Sequence, residues 1–145
     1  MERVVKFRGK VVNHDPMTNP ENGWVEGYYL QDLDNGVVKH YIFNCPCRWE
    51  VVPDTIGQFT GLHDRNGKEI YEGDIVKWIL TMPVFGVNGG YEEYETEEIG
   101  EIQLDAGALY LGEYCAAGFA YDSKDYAEII GNIHDNPNLL TDGRD

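Results

Sequence analysis

Residues 58–80 read QFTGLHDRNGKEIYEGDIVKWIL, and this stretch decides the fold of the chain. Asn66 and Gly67 suit the two positive-φ positions of a type I′ turn, so they predict a tight connection between two strands. The run at 75–80 is almost continuously apolar and rich in β-branched residues, as expected for a strand buried on both faces or forming a barrel wall. The stretch therefore predicts a β-hairpin followed by a core strand.

The remaining chain repeats this pattern of short strands and turns. Runs of β-branched and aromatic residues alternate with Gly, Asn, Asp and Pro, and no run keeps the helical apolar period over three turns. Further strands are predicted at 4–12, 24–31, 37–43, 99–104, 110–114, 119–121 and 126–133, although 125–130 also suits one helical turn. Loops or irregular segments are predicted at 13–23, 46–53 and 83–90. The pattern indicates a mainly β fold, or at most a β-rich α+β fold.

The turn signals suggest two subdomains. Residues 1–58 are predicted to form an N-terminal β-hairpin layer, because a polar segment at 32–36 joins two aromatic, β-branched runs. Residues 59–145 are predicted to form a small SH3-like barrel with an acidic loop and a C-terminal tail. Unpaired strand edges and many aromatic residues favour a homo-oligomer.

Length and composition limit the class of protein. The chain has 145 residues and 42% hydrophobic residues, which suffices for one domain or two subdomains. The longest apolar stretch, 78–87, is interrupted by Thr81, Pro83 and Gly86 and is shorter than the ~20 residues of a membrane span. No secretory signal is recognisable at the start, and three cysteines suggest reduced thiols. A cytoplasmic protein without membrane contact is expected.

Charge is distributed unevenly along the chain, whose net charge is −15. Residues 1–77 contain 12 acidic and 9 basic side chains, whereas residues 78–145 contain 14 acidic and 2 basic ones. Duplex binding requires clustered cations that displace counterions from phosphates, and the second half cannot supply them. Nucleic acid is therefore not an expected partner.

The segment 91–98, YEEYETEE, is the strongest chemical signal. Its carboxylates lack neighbouring cations, so they project a negative potential. Such runs commonly form a solvated surface, but here they also suggest a surface that imitates DNA phosphates and binds a protein. Candidate partner-binding residues are Tyr91, Glu92, Glu93, Tyr94, Glu95, Glu97, Glu98 and Glu101.

Other candidate sites are weaker. Cys45 and Cys47 are separated by one proline, whereas structural zinc sites normally pair cysteines at wider spacing and need four ligands, which only Cys115 and histidines could complete. Glu72 and Asp74 flank Gly73, but a cation site needs more oxygen ligands than these two. No catalytic motif, metal site or cofactor site is predicted, and whether these cysteines or carboxylates bind a metal stays open.

The ordered pattern of strands and turns resembles the YopX protein family. The matching segments are VKFRGK (5–10), GWVEGYY (23–29), TIGQFTGL (55–62), Asp64, NGKEIYEGDIV (66–76) and IGNIHDNPNLL (130–140). This resemblance implies a mainly β fold and an origin in bacteriophages, prophages or their bacterial hosts. It implies no established reaction, cofactor or catalytic residue.

These observations favour a non-enzymatic phage or prophage accessory protein that uses an acidic surface to bind a host or phage protein. An alternative is a nucleic-acid-associated regulator that uses the basic N-terminal strand with Arg3, Lys6, Arg8 and Lys10. A third, less favoured, is an uncharacterised enzyme.

Overall fold

The computed structural model describes residues 5–12, 22–44, 46–86, 89–105, 108–112, 114–115 and 119–140. The chain divides into two compact units, Met1–Gly61 and Leu62–Asp145. The described residues of both units form mainly antiparallel strands. The prediction of a mainly β fold is confirmed.

The first unit is an antiparallel sheet. Its strands are β1 (Phe7–Lys10), β2 (Trp24–Asp34), β3 (Val37–Asn44), β4 (Cys47–Glu50) and β5 (Gly57–His63), with a 3₁₀ helix at Pro53–Thr55. They lie side by side in the order β4-β3-β2-β1-β5. The segment 46–53 was predicted to be irregular, and this was wrong for its centre, because Arg48, Trp49 and Glu50 pair with β3.

The sheet of the first unit curls until its first and fourth strands meet. Val11 forms a β-bridge with Val51, and the N–H of Val12 donates to the carbonyl of Glu50 at 2.9 Å. A Cβ at Gly9 would lie 3.0 Å from the Cβ of Val51, so glycine permits this close approach. The enclosed core consists of buried Val11, Val25, Ile42 and Val51, with Phe7, Tyr29, Trp49 and Ile56 packed against it.

The hairpin between β2 and β3 turns within the polar segment predicted to connect them, but its turn is shorter than predicted, because β2 continues to Asp34. Asn35 and Gly36 have φ values of 52° and 80°, as a type I′ turn requires. Seven residue pairs, from Tyr28↔Phe43 to Asp34↔Val37, continue the hairpin from this turn. The predicted N-terminal hairpin is confirmed.

The second unit contains a five-stranded sheet and one α-helix among its described residues. Its elements are β6 (Glu69–Tyr71), β7 (Asp74–Phe85), β8 (Tyr91–Asp105), β9 (Ala108–Leu111), β10 (Tyr114–Cys115), α1 (Phe119–Tyr126), β11 (Ala127–Asn132) and a 3₁₀ helix at Pro137–Leu140. The order of the strands in this sheet is β10-β9-β8-β7-β11. The core consists of Ile70, Val76, Ile102, Leu111 and Ala127. The SH3-like barrel stays a prediction.

Three details of the second unit differ from the sequence-based predictions. The acidic segment is not a loop but part of β8, because it pairs with β7. The loop predicted at 83–90 is wrong for its first three residues, because β7 continues through Pro83 to Phe85. Residues 119–121 begin α1 instead of forming a strand. This helix also contains Ser123, Lys124 and Asp125, which are poor strand formers.

The turn at 64–68 differs from the predicted type I′ turn. Gly67 has a φ of 82°, but Asn66 does not have a positive φ. The N–H of Asp64 donates to the carbonyl of Lys68 at 2.8 Å, and that of Gly67 to the carbonyl of Asp64 at 3.0 Å. This pattern suits a three-residue hairpin loop with glycine at the left-handed position. The connection was therefore predicted correctly, but its geometry was not.

Candidate interaction surface

The acidic residues lie on the longest hairpin of the second unit. β7 and β8 pair continuously from Ile75↔Glu101 to Phe85↔Tyr91. Gly86 and Gly90 close the turn through a 2.7 Å backbone hydrogen bond, and Gly89 has a φ of 80°. We name the outer part of this hairpin, residues 78–85 and 91–98, the acidic arm. Backbone pairing holds the arm, so its side chains need not supply a core.

Burial along β8 changes where the strand leaves the core. Gly100 and Ile102 are buried, whereas residues 91–98 are exposed, except for half-buried Thr96. Because successive side chains of a strand point to opposite faces, exposure of consecutive residues means that both faces of this strand meet solvent. The acidic segment is therefore accessible from both sides.

The two faces of the arm differ in chemistry. Glu93, Glu95 and Glu97 alternate along β8 and share one face, where strand geometry spaces them about 6.8 Å apart. Glu92, Tyr94 and Glu98 share the other face, on which an aromatic side chain interrupts the carboxylates. The first face thus carries an uninterrupted row of three carboxylates.

Aromatic side chains occupy the end of the arm. Phe85 and Tyr91 are cross-strand partners whose ring centroids lie 5.5 Å apart, and they are 73% and 57% exposed. The hydroxyl of Tyr91 donates to Oε1 of Glu93 at 2.5 Å, and this hydrogen bond raises the pKa of Tyr91. Tyr94 is 51% exposed. The arm therefore combines carboxylates with accessible aromatic surface, which is typical of interaction sites.

Glu101 lies apart from the other candidate residues. It is half-buried and paired with Ile75 at the base of the hairpin. Burial raises the pKa of its carboxyl group, and the nearby negative charge of Glu72 adds to this effect, whereas a hydrogen bond from Gln103 opposes it. Glu101 is thus a less suitable contact residue than Glu93, Glu95 or Glu97.

The ion pairs of the described residues do not involve the acidic arm. The ion pairs observed there join Lys39 to Asp34 and Glu50, and Arg48 to Asp32, all within the first unit. The strand register places Lys77 of β7 on the same face of the sheet as the carboxylate row. Its cross-strand partners are Ile99 in β8 and Glu128 in β11. Across the described residues, no ion pair involves Glu92, Glu93, Glu95, Glu97 or Glu98.

The alternative metal sites gain no support from the described residues. Asp74 is 2% exposed, and its Oδ2 accepts a hydrogen bond from the N–H of Tyr71 at 2.8 Å, which indicates a structural role at a turn. Cys47 is an exposed free thiol, while Cys45 lies outside the described residues. No group of three or more potential metal ligands occurs among the described side chains.

The basic residues of the N-terminal strand contact aromatic rings. The Nζ of Lys6 lies 5.1 Å from the ring centre of Phe59, and the guanidinium carbon of Arg8 lies 4.8 Å from that of Trp24. The Nζ of Lys10 is 5.9 Å from the same Trp24 ring. Arg3 lies outside the described residues. These contacts show that three of the four predicted basic side chains have aromatic neighbours.

Two important residues were not singled out as site or network residues from the sequence. Asp64 is 2% exposed, and its two carboxylate oxygens accept hydrogen bonds from three backbone N–H groups. Its position before Asn66-Gly67 signals a turn but not the contact with a distant strand. Phe85 joins the arm only because the register places it opposite Tyr91, which local sequence does not reveal.

Comparisons with known proteins place the chain in a family. No helix formed by the described residues has the length and apolar character needed to cross a membrane. No curated protein matches the chain. A solved structure, protein EF1440 from Enterococcus faecalis, is 22% identical, with 96% of this chain and 99% of that chain covered and a TM-score of 0.46. The family model described as YopX protein matches residues 6–141. The chain therefore belongs to the YopX family.

Proposed function

We propose that this protein is a phage-associated accessory protein without enzymatic activity, and that its acidic arm binds a cationic surface on a host or phage protein. The observation that carries the proposal is the exposure of both faces of β8 over residues 91–98. An uncompensated row of carboxylates attracts cationic surfaces and accelerates encounter with them.

The geometry of the row suggests the kind of cationic surface. Carboxylates on one face repeat about every 6.8 Å, which is twice the distance of about 3.4 Å along the helix axis between successive phosphates of one DNA strand. Glu92 and Glu98 on the opposite face add charge to the same edge of the molecule. A protein groove that binds nucleic acid offers cations along a line, so such a groove fits the arm.

The aromatic end of the arm supplies binding free energy that exposed charges alone do not provide. Exposed ion pairs contribute little free energy, typically about 0–1 kcal/mol each, because water and salt screen them. Burial of Phe85 and Tyr91 at the interface would add apolar contact area, and aromatic residues frequently dominate binding energies. We therefore assign attraction and orientation to the carboxylates and anchoring to the aromatic end.

The test is affinity capture from a bacterial lysate, followed by identification of the captured proteins. The wild type should retain a basic protein that duplex DNA releases, and the triple variant E93Q/E95Q/E97Q should lose it. The matched control D54N/D105N/D125N removes the same charge from three exposed residues outside the arm and should retain the partner. Equal capture by both variants, or a partner that DNA does not displace, would contradict the proposal.

A further inference from the structure

The hairpin formed by β2 and β3 has a strand edge without a partner. β1 pairs with β2 only from Trp24 to Gly27, whereas the pairing of β2 with β3 covers Tyr28 to Asp34. Among the described residues, no strand lies on the other side of β2 over this second range. We name residues 28–34 of β2 the open edge. An unpaired edge of this length can accept a further strand through its backbone.

The turn of the hairpin determines which backbone groups face the open edge. Asn35 and Gly36 form a two-residue turn, in which the flanking residues Asp34 and Val37 form a hydrogen-bonded pair. Such pairs recur at every second residue of an antiparallel ladder. The even-numbered residues of the open edge therefore bond to β3, and the odd-numbered residues direct their N–H and C=O groups away from it.

Three residues, Tyr29, Gln31 and Leu33, thus present backbone donors and acceptors to a further strand. The N–H of Leu33 agrees with this direction, because it donates to Oδ1 of Asp32 at 2.8 Å and not to β3. The side chain of Leu33 is 67% exposed. Exposed apolar side chains beside an unpaired strand favour association between edges.

The charges of the open edge do not prevent a second copy of the chain from pairing with it. Its two carboxylates have partners within the chain, since Lys39 lies 3.0 Å from Asp34 and Arg48 lies 3.2 Å from Asp32. Self-pairing of β8 in the acidic arm would instead place glutamates opposite one another, and natural proteins use such charges to protect strand edges. The open edge is therefore better suited to self-association than the acidic arm.

We propose that two copies of this chain associate through their open edges as antiparallel strands, related by a two-fold axis at Gln31. Tyr29 then faces Leu33 of the second copy, and Gln31 faces its own equivalent. Each facing pair of odd-numbered residues exchanges two backbone hydrogen bonds, and those at Leu33 replace its bond to Asp32. This proposal gives the expected homo-oligomer a defined interface and is independent of the acidic arm and its partner.

Charge and length select this register. Centred at Gln31, the pairing uses all seven residues of each open edge and places the two aspartates opposite Leu30 and Tyr28 of the second copy. Centred at either of the next two residues toward the turn, it would place aspartates directly opposite one another, where like charges are destabilising. Centred at Leu30, it would extend into the range 24–27, which β1 already occupies.

Sedimentation equilibrium of the full chain tests the proposal, and the wild type should form a dimer. Q31E and Q31K each place like charges opposite one another at the axis, so each should weaken the dimer about fivefold, at the upper end of the range for cross-strand charge pairs. An equimolar mixture of the two variants should regain the lost affinity, because opposite charges then face each other. Gln31 is exposed, and both variants lose its hydrogen bond to Tyr29, so the mixture isolates the contact between copies.

Proline variants identify the edge that pairs. Q31P removes an N–H that points to the open edge, so this variant should lose about tenfold or more in dimer affinity. V38P is the matched control, because Val38 is exposed and its N–H points to the opposite edge of the hairpin; it should dimerise like the wild type. Circular dichroism confirms that each variant is folded.

Three results would overturn the proposal. The first is a wild type that stays monomeric up to millimolar concentration. The second is a mixture of Q31E and Q31K that associates no more tightly than either variant alone, and this result decides the matter even if Q31P does not fold. The third is a folded Q31P that dimerises as well as V38P.

Discussion

The carboxylate of Asp64 accepts a hydrogen bond from the backbone N–H of Ile129 at 3.0 Å, across 65 residues of chain. Its other oxygen accepts from the N–H groups of Asn66 and Lys68, each at 2.9 Å. One buried side chain thus holds its own turn and also fixes β11 beside it. A second bond, from the N–H of Arg65 to the carbonyl of Ala127 at 2.8 Å, supports the same junction.

Removal of this carboxylate is the first prediction. D64A should lower the free energy of unfolding by about 3 kcal/mol or more, because hydrogen bonds to a charged group contribute about 1.5–3 kcal/mol each and the N–H of Ile129 would be left without this acceptor. D64N should lower the free energy of unfolding by less, because its amide oxygen can still accept the hydrogen bonds that one carboxylate oxygen accepts in the wild type. The measurement is urea unfolding followed by circular dichroism.

D54A is the control for this prediction, because Asp54 is exposed on the 3₁₀ helix of the first unit. Its expected effect is within about 0.5 kcal/mol, as for most surface substitutions. If D64A were no less stable than D54A, the proposed role of Asp64 as the link between turn and strand would be wrong.

The second prediction concerns Gly27, the last residue of β2 that pairs with β1 before the pairing with β3 begins at Tyr28. G27A places a methyl group against the carbonyl oxygen of Phe43, so the backbone must move apart. We expect a loss of roughly 1–3 kcal/mol, the usual cost of overpacking, together with a shift in the pairing at 27–43. Unfolding by urea measures the loss, and amide hydrogen exchange locates it.

G90A is the matched glycine control, since a Cβ there would have no neighbour within 4 Å. It should leave stability nearly unchanged. Equal stability of G27A and G90A would show that the close approach at Gly27 does not constrain the sheet.

A structural feature could be predicted from the sequence where neighbouring residues determine it, and could not where pairing with distant residues determines it. The polar segment 32–36 predicted a connection between two strands, and the turn forms at Asn35 and Gly36, because these residue types tolerate positive φ. At Asn66-Gly67 the same residue types gave a different turn, because the carboxylate of Asp64 holds the N–H groups of Asn66 and Lys68. Local chemistry identified the turn, and a side chain outside the pair set its type.

The acidic segment also shows that contacts distant in the sequence can override local preference. Its charge and its tyrosines were evident, but consecutive glutamates are poor strand formers, so a loop was predicted. In the structure, β7 supplies backbone partners for eleven consecutive residue pairs, which overrides the local preference. The candidate residues were thus identified from composition, whereas their division into two faces required the register.

The third prediction concerns pH. Burial raises the pKa of Glu101, so the folded state binds a proton more tightly there than the unfolded state. This site therefore reduces stability at neutral pH, and the reduction disappears as the pH falls through the raised pKa toward the ordinary value of about 4.3. E101Q should be more stable than the wild type at pH 7 and lose that advantage in acid. Urea midpoints measured between pH 7 and 4 provide the test.

Q103A tests the same carboxyl group by removing its hydrogen bond to Gln103. The hydrogen bond from Gln103 lowers the pKa of Glu101, so its removal should raise that pKa further and shift the pH dependence upward. A stability difference between wild type and E101Q that does not change with pH would contradict this account.

The final prediction concerns the acidic arm in the absence of a partner. E93Q/E95Q/E97Q removes three like charges that repel one another, so the variant should be slightly more stable than the wild type at low salt. Salt screens exposed charges with a Debye length of about 10 Å at 0.1 M and about 3 Å at 1 M, so the difference should shrink as salt is added. Thermal unfolding at both concentrations measures it, with D54N/D105N/D125N as the charge-matched control. A loss of stability in the arm variant would mean that these carboxylates hold the hairpin together instead of remaining available to a partner.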